Sequence, residues 1–468
     1  MKLELGKLIE IVSGTPCEAI DPRLAVDTAL ISFDSRKLIK GEIFVAIPTE
    51  KQDGAKFISD AINKGAALVI AESNPDNAVR VILVKDAVIA LQNLGRYVRS
   101  QYKGFVIGIT GSSGKTTAKE LVAHMLSHFD KTSYGVGSFN NHIGTPYNLC
   151  RLDFDAPYAV FEMGMDHAGE ISTLVDLVRP NLVAVTNIFP MHMEYFKELK
   201  DIAYAKAEVF EKVVPFENRT VALINADASF ADEVLIPAAE KQGINEIITF
   251  GKKGRVKLAS FALNKECKTD VVMDIDGKIY RHTDLGLGER FAYNANLAAA
   301  VAFALGLDVD AALKAIADFS PLKGRGKIST VSIRKGFDIS LIDDSYNGQP
   351  EAMRYAVTTL GDIPKNGARK IAILGKMSEC GDTTEDEHRS VGKALAASDI
   401  DIVIGVGEEA KMMLEEVPDT RTKIFKENID GLFDELTTSL LKPNDIILLK
   451  GSHYSSRVFE VADKLLAL

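Results

Sequence analysis

A glycine-rich turn near residue 111 carries the most specific chemical signal in the sequence. It follows the apolar segment 105–107 and precedes a helical pattern over residues 115–128. Small residues let backbone N–H groups surround phosphate oxygens, and a helix N-terminus adds partial positive charge. Lys115 would reach the terminal phosphates of a nucleotide, and the Thr116 hydroxyl would bind Mg²⁺. The predicted triphosphate site comprises Gly111, Ser112, Ser113, Gly114, Lys115, Thr116 and Thr117. Because Ile109 replaces the first glycine of the usual pattern, this loop is tighter than an ordinary P-loop.

Polar side chains follow several of the apolar strand segments. Glu162, Asn187 and Asn225 each stand at the end of such a segment, and His192 follows five residues after Asn187. Ligands of open parallel sheets bind beyond the carboxyl ends of the strands. A carboxylate and an imidazole beside a phosphate loop suit a divalent cation that contacts ATP. A single histidine is often only packed, so the residues alone leave the role of His192 open.

Lys206 lies on the apolar face of a predicted helix over residues 201–213. Steps of four, three and four from Ile202 give positions 206, 209 and 213, which puts Lys206 in line with Val209 and Val213. A buried lysine is disfavoured as a cation, so its neutral amine becomes available for chemistry. Alternatively, the stem packs while the ammonium group reaches water, and the residues alone favour this second interpretation.

Size and composition indicate an ordinary globular protein of about three domains. The chain has 468 residues, of which 46% are hydrophobic and 26% are charged. A net charge of −10 gives no electrostatic support for a nucleic-acid partner. The apolar run 297–307 is too short to span a bilayer, and no secretion signal is recognised, so we expect a cytoplasmic protein. The four cysteines lack metal or redox spacing and indicate reduced thiols.

The predicted fold class is α/β with three domains. Residues 1–84 form a small α/β unit. Residues 85–319 alternate apolar strands with helices, which predicts a doubly wound parallel sheet covered on both faces. A short antiparallel hairpin at Asp276-Gly277 and an alanine-rich helix over 294–307 complete this unit. Residues 320–468 repeat the doubly wound pattern in a Rossmann-like unit.

The third unit also contains polar residues beside its strands. Arg325, Asp344 and Tyr346 together could hold the ribose and base of a nucleotide, and Lys450 follows the last strand. His388 lies in a polar stretch that leads into a helix. Each of these residues, taken singly, is more often a turn or surface residue.

In this order, the motifs resemble those of the Mur ligase family of ATP-dependent amide-forming enzymes, over essentially the whole chain. The matching segments are DSR at 34–36, GEIFVAI at 41–47, TGSSGKTT at 110–117, NNHIGTP at 140–146, FEMG at 161–164, GEI at 169–171, AKAEVF at 205–210, NA at 294–295 and DDSYN at 343–347. The resemblance implies a UDP-binding first domain, a central ATP-binding P-loop domain and a Rossmann-like ligase domain. It also implies that Lys206 is carbamylated, which turns a cation into an anion able to bind Mg²⁺.

The resemblance assigns a role to each matching position. The catalytic residues would be Lys115, Lys206 and His192, and the ligands of two Mg²⁺ ions would be Thr116, Glu162, His192 and carbamylated Lys206. ATP would also contact Asn294, Arg325, Asp344 and Tyr346, and the UDP-linked substrate would contact Ser35, Arg36, Asn140 and Asn141. The implied reaction joins D-alanyl-D-alanine to a UDP-N-acetylmuramoyl-tripeptide through an acyl phosphate, in cytoplasmic peptidoglycan precursor synthesis. Cell shape and cell division would depend on that product. A monomer without nucleic-acid or membrane partners is expected.

Several positions depart from the family pattern. Arg290 replaces a histidine, Gly348 and Gln349 alter the segment after DDSYN, Lys376 replaces an acidic residue, and 189–191 lacks the usual glycine before His192. Two alternatives therefore stay open. One is a ligase of the same family acting on another carboxylate and amine, such as a folate. The other is a nucleotide-binding regulatory module in which Lys206 is never carbamylated.

Overall fold

The structure, a computed structural model, describes residues 1–19, 21–49, 52–333, 336–378, 380–453 and 455–468. Its described residues form an α/β protein with sheets of two, five, nine and six strands. The three larger sheets follow one another along the chain and consist mostly of parallel strands. The expected α/β fold class is confirmed.

The N-terminal unit is built on the five-stranded sheet, in which four parallel strands are flanked by one antiparallel edge strand. Its elements are β1 (Lys2–Glu4), α1 (Leu5–Val12), β2 (Thr15–Pro16), β3 (Ala25–Asp27), β4 (Ile31–Ser32), β5 (Ile43–Ala46), α2 (Ile58–Asn63), β6 (Leu68–Ala71) and β7 (Val81–Leu83). The chain enters helix α2 through a 3₁₀ turn over Gly54–Phe57. The Asp53 carboxylate caps that turn by accepting a hydrogen bond from the Ala55 N–H at 2.9 Å.

The central unit is built on the nine-stranded sheet. Its strands are β8 (Phe105–Thr110), β9 (Thr132–Tyr134), β10 (Tyr158–Glu162), β11 (Leu182–Val185), β12 (Val221–Asn225), β13 (Glu246–Gly251), β14 (Val256–Leu263), β15 (Thr269–Ile275) and β16 (Lys278–Leu285). Its helices are α3 (Ala87–Gln101), α4 (Lys115–Ser127), α5 (Gly144–Cys150), α6 (Glu170–Val178), α7 (Leu199–Ala207), α8 (Ile236–Lys241), α9 (Gly288–Ala304) and α10 (Val309–Ala315). Strand β8 lies between β10 and β11 near the middle of the parallel part.

Three elements of the central unit differ from the sequence prediction. The hairpin at Asp276-Gly277 is confirmed, but β14–β16 extend the central sheet rather than forming a separate insert. Helix α9 begins at Gly288, six residues earlier than predicted. Helix α7 ends at Ala207 and continues as a 3₁₀ turn, Glu208–Phe210. In that turn the Glu208 carboxylate accepts hydrogen bonds from the backbone N–H groups of Gly169 and Ser172, at 2.7 and 3.0 Å, where α6 begins.

The C-terminal unit is built on the six-stranded sheet, in which the edge strand β17 runs antiparallel to its neighbour β18 and the other described strand pairs are parallel. Its strands are β17 (Lys327–Ile333), β18 (Phe337–Asp343), β19 (Lys370–Gly375), β20 (Ile402–Val406), β21 (Thr422–Lys426) and β22 (Ile446–Lys450). Its helices are α11 (Pro350–Asp362), α12 (Thr384–Ala397), α13 (Ala410–Glu416), α14 (Leu432–Glu435) and α15 (Val458–Leu466). Among the described residues, no helix is both long and apolar enough to cross a bilayer.

One apolar core joins the N-terminal unit to the central sheet. It contains Leu5 and Ile70 from the N-terminal unit, Leu91 from α3, and Phe161 and Val183 from the central strands. Helix α3 therefore packs on both sheets. The Arg99 guanidinium of α3 donates hydrogen bonds to the carbonyl oxygens of Val178 and Arg179, both at 2.6 Å. These bonds tie α3 to the end of α6.

Candidate active site

The phosphate loop connects β8 to α4 and requires glycine at two positions. Gly111 has a φ of +150°, and a Cβ atom there would lie 1.9 Å from the Thr186 hydroxyl oxygen. Gly114 is the N-cap of α4 with a φ of +78°, a left-handed conformation that disfavours side chains. The loop thus passes directly against the end of β11, where a larger residue at 111 would not fit.

The end of β11 braces this loop through Asn187. The Ser113 N–H donates to Asn187 Oδ1 at 2.8 Å, and Asn187 Nδ2 donates back to the Ser113 carbonyl at 3.0 Å. The Ser112 N–H donates to the Asn187 carbonyl oxygen at 3.0 Å. The loop shape is therefore fixed by the protein itself. The first-turn N–H groups of α4, which have no acceptor within the helix, remain for an anion.

A cavity of about 280 Å³ opens at this loop. Eleven residues that the sequence predicted for the site line it: Ser112, Ser113, Gly114, Lys115, Thr116, Thr117, Asn140, His192, Arg325, Asp344 and Tyr346. The Lys115 ammonium donates a hydrogen bond to the Gly111 carbonyl at 2.9 Å and so curls over the loop. The cavity is walled by the central unit on one side and by the C-terminal unit on the other.

Side chains of types that can bind a metal ion lie at the phosphate loop and in the wall of its cavity. The Thr116 hydroxyl donates to both carboxylate oxygens of Glu162, at 2.9 and 3.2 Å, and both side chains are buried. His192 has a φ of +51°, and its Nε2 lies 3.5 Å from Asp166 Oδ1. Hydroxyl and carboxylate oxygens are the donors that Mg²⁺ prefers. The donor set therefore fits a magnesium ion at the phosphate loop.

Lys206 is fully buried on α7, and its Nζ has no hydrogen-bond partner among the residues that the structure describes. Burial, reinforced by the positive charge of Lys115, holds the pKa of Lys206 well below its usual value. By contrast, the buried Lys119, Lys370 and Lys450 all donate hydrogen bonds. The surroundings of Lys206 therefore favour the uncharged form of its amine, and none of the described residues binds its nitrogen.

The C-terminal unit contributes a charged wall opposite the phosphate loop. The buried Lys450 ammonium donates to Asp344 Oδ2 at 2.7 Å and to the Asn347 carbonyl at 2.9 Å. Burial lowers the pKa of Lys450. The Arg325 guanidinium stacks 4.2 Å from the centre of the Tyr346 ring. Arg290, from α9, reaches across the cleft to within 3.6 Å of Asp344.

A second cavity, of about 130 Å³, adjoins the first through Ser113 and Gly114. Asn294, Phe189 and Tyr355 are among the residues that line it. The Tyr293 hydroxyl, also in this wall, donates to Asp227 Oδ2 at 3.0 Å. Burial and the nearby carboxylate raise the pKa of Tyr293. Aromatic faces beside amide groups suit a planar heterocyclic base.

Some predicted residues lie apart from the phosphate cavity. The exposed Arg36 pairs with Asp34 at 2.8 Å, and the buried Ser35 accepts a hydrogen bond from Lys64 at its carbonyl. Asn141 Oδ1 accepts from the N–H groups of residues 143 and 144 where α5 begins. None of these three side chains lines the cavity around Lys115.

The polar sequence around His388 does not place this residue at the phosphate cavity, whereas Asp166 lies there without having been predicted. His388 is buried on α12, and its Nε2 accepts a hydrogen bond from the Met377 N–H at 3.2 Å. Burial lowers the pKa of His388. Asp166, which the sequence reasoning missed, lines the phosphate cavity four residues after Glu162. Its position beyond a parallel strand end was the signal that could have identified it.

Comparison with known proteins agrees with this architecture. Three family models match: the Mur ligase family catalytic domain at residues 28–99, the Mur ligase middle domain at 109–302, and the Mur ligase glutamate ligase domain at 329–453. The UDP-N-acetylmuramoyl-tripeptide–D-alanyl-D-alanine ligase of Rickettsia prowazekii is 32% identical over 426 residues, covering 90% of this chain and 92% of that protein. The chain belongs to the Mur ligase family.

Solved structures of other Mur ligases share the whole fold. MurF from Acinetobacter baumannii superposes with a TM-score of 0.86 at 28% identity, covering 100% of this Mur ligase and 99% of that chain. The Escherichia coli UDP-N-acetylmuramoyl-tripeptide–D-alanyl-D-alanine ligase is 30% identical over 88% of this chain and 87% of its own length. The similarity therefore includes all three units of this Mur ligase.

Proposed function

We propose that this Mur ligase joins D-alanyl-D-alanine to a UDP-N-acetylmuramoyl-tripeptide, with conversion of ATP to ADP and phosphate. The main structural support is the phosphate loop together with the buried amine of Lys206, which has no hydrogen-bond partner in the described part of the chain and interacts electrostatically with Lys115. The named activity of relatives that match nearly full length supports this substrate pair over other carboxylates and amines. We place the reaction in cytoplasmic peptidoglycan precursor synthesis.

The proposed chemistry has two steps. A carboxylate oxygen of the tripeptide attacks the γ-phosphorus of ATP, and the bond to the ADP oxygen breaks. The dipeptide amine then attacks the carbonyl carbon of the acyl phosphate, and phosphate and a proton leave. Because the first step brings two anions together, Lys115 and the N–H groups at the start of α4 offset their repulsion. Closure of the cleft between the central and C-terminal units would keep water from the acyl phosphate.

The residues beside Lys115 would hold two magnesium ions. The proposed ligands are Thr116, Glu162, His192 and a carbamylated Lys206. Bound magnesium would neutralise charge on the phosphates and the substrate carboxylate. The protein's own part is to keep these donors buried and oriented, as the Thr116–Glu162 hydrogen bond illustrates.

The state of Lys206 supports its carbamylation. Only an unprotonated amine adds to CO₂; the nitrogen bonds to the carbon and releases one proton, which leaves an anionic carbamate. Burial and the charge of Lys115 favour the unprotonated amine. The same positive charge would stabilise the carbamate once formed. If only the aliphatic stem of Lys206 were packed, its nitrogen would reach water. Instead, this nitrogen is inaccessible to solvent.

Each unit has a proposed share in this reaction. Residues 1–84 would hold the UDP group through Ser35 and Arg36, with Asn140 and Asn141 from the next unit nearby. Residues 85–319 would hold ATP. Residues 320–468 would complete the nucleotide site through Arg325, Asp344 and Tyr346 and present the amine. One chain contains every proposed residue, so we propose a monomer.

The test measures ADP and ligated product, the latter by mass spectrometry. We expect ADP release only when both the UDP-muramoyl tripeptide and D-alanyl-D-alanine are present. Lys206→Ala should retain ATP binding, lose turnover, and partly recover it with added short-chain carboxylic acids. ATP consumption that ignores either substrate would contradict the proposal. Indifference to Lys206→Ala would favour a nucleotide-binding module, and product with another amine would favour a different ligase.

A further inference from the structure

Lys119 is a buried lysine close to the active site to which the proposed chemistry assigns no role. It lies on α4, one turn after Lys115, and is fully buried. Its ammonium donates to the carbonyl oxygens of Gly135 and Gly137, the latter at 2.7 Å, and lies 2.8 Å from Glu120 Oε1. This ammonium therefore donates two hydrogen bonds to the backbone of one segment and forms an ion pair with Glu120.

Asn148, on α5, holds the same segment from the other side. Its Oδ1 accepts from the Val136 N–H at 3.1 Å, and its Nδ2 donates to the Phe139 carbonyl at 3.0 Å. The Asn148 side chain is buried. Residues 135–141, which we call the 135–141 loop, thus have four backbone groups fixed by Lys119 and Asn148.

The 135–141 loop borders the phosphate cavity. Ser138 and Asn140 line that cavity, and the Asn140 carbonyl accepts from the Gly164 N–H at 2.9 Å, just beyond Glu162. The Ser138 hydroxyl lies 2.9 Å from the Tyr346 hydroxyl of the C-terminal unit. The loop therefore joins the phosphate helix, the strand that carries Glu162 and the C-terminal unit at one point.

We propose that Lys119 and Asn148 are positioning residues that hold the 135–141 loop where it receives the UDP-linked peptide. This inference rests on the proposed function, because the peptide is the ligand that the loop would orient. The phosphate loop is braced separately by Asn187. Loss of either positioning residue should therefore disturb the peptide and leave ATP binding intact.

The experiment compares Lys119→Met and Asn148→Ala with Lys370→Met. Lys370 is a matched control, because it is a buried lysine that donates to the Gly361 carbonyl within the C-terminal unit. The measurements are the KM for the UDP-muramoyl tripeptide, the dissociation constant of ATP, and hydrogen exchange of the 135–141 amides. If Lys119→Met fails to fold, Asn148→Ala still tests the same inference.

We expect both positioning variants to raise the KM for the peptide about tenfold or more, since small misplacements of binding groups carry such costs. Hydrogen exchange in the 135–141 loop should accelerate, while ATP affinity stays within about twofold. An unchanged KM, an equal loss of ATP affinity, or the same effect from Lys370→Met would overturn the inference. If the wild-type protein makes no product, the proposed function is overturned instead. Hydrogen exchange of the 135–141 amides would then still test whether Lys119 and Asn148 hold the loop.

Discussion

The buried amine of Lys206 should make the stability of this protein depend on pH. In the unfolded chain this lysine keeps its proton up to about pH 10.5, whereas burial lowers its pKa in the folded protein. Between the folded and unfolded pKa values, the unfolded state binds one more proton, so the free energy of unfolding rises with pH. The slope is about 1.4 kcal/mol per pH unit for one such group. Burial of Lys206 therefore lowers the free energy of unfolding most at the low-pH end of that interval. This loss of stability vanishes as the pH approaches the pKa of the lysine in the unfolded chain.

Lys206→Met removes this titration and leaves a side chain of similar length in an apolar position. We expect the variant to be more stable than the wild type near neutral pH, because folding of the variant neither buries nor deprotonates an ammonium group at this position. The advantage should shrink by about 1.4 kcal/mol for each pH unit of increase. For a unit of this size, that corresponds to roughly 3–6 °C in Tm per pH unit. Thermal unfolding in CO₂-free buffers between about pH 7 and pH 9 measures the difference.

Lys119→Met is the matched control, because Lys119 is equally buried but its ammonium donates two hydrogen bonds. Its removal leaves two carbonyl oxygens without their donor, at about 1–3 kcal/mol each, so that variant should be less stable. Bicarbonate should raise the Tm of the wild type and leave that of Lys206→Met unchanged, since a modification confined to the folded state stabilises it. The reasoning is refuted if Lys206→Met gains nothing near neutral pH, or if its advantage does not vary with pH.

Two further substitutions examine the nucleotide site. Gly111→Ala should weaken ATP binding about tenfold or more, measured at equilibrium, because its Cβ would lie 1.9 Å from the Thr186 hydroxyl; Gly277→Ala, whose Cβ meets nothing within 4 Å, should leave ATP binding unchanged. Arg290→Gln should raise the KM for ATP no more than about fivefold with little change in kcat, because a partly exposed pair contributes at most about 1 kcal/mol. A collapse of kcat in steady-state assays would instead show that Arg290 acts in the chemical step.

The residues that could be placed from sequence are those whose signals are local. A continuous apolar run predicts a buried parallel strand, and the glycine spacing predicts the phosphate loop, because both depend on neighbours in the chain. The inward position of Lys206 followed from the apolar residues Ile202 and Val209 on the same face, both of which are buried. In each case the local pattern and the tertiary environment agree.

The remaining features depend on contacts between distant segments. Edge strands β17 and β21 have weak sequence signals, because they are half-exposed and polar residues interrupt their apolar pattern. Helix α7 ends early where Glu208 reaches the start of α6, a contact that no local pattern contains. Tyr355 reaches the second cavity only because the C-terminal unit packs against α9. The periodicity of apolar residues within one helix cannot reveal contacts with segments that are distant in the chain.

The continuous core through α3 has a mechanical consequence. Turning the N-terminal sheet against the central sheet would expose Leu91 and its apolar neighbours to water, so these two units must move as a single body. Among the described residues, the buried cores of the C-terminal sheet contact the rest of the chain through few apolar side chains: the buried Cys267 and the partly buried Leu263 and Leu287. Residues 316–326 connect α10 to β17, so a swing of the third unit would turn about this segment. A substrate held by the first two units would stay still while its reaction partner arrives along an arc.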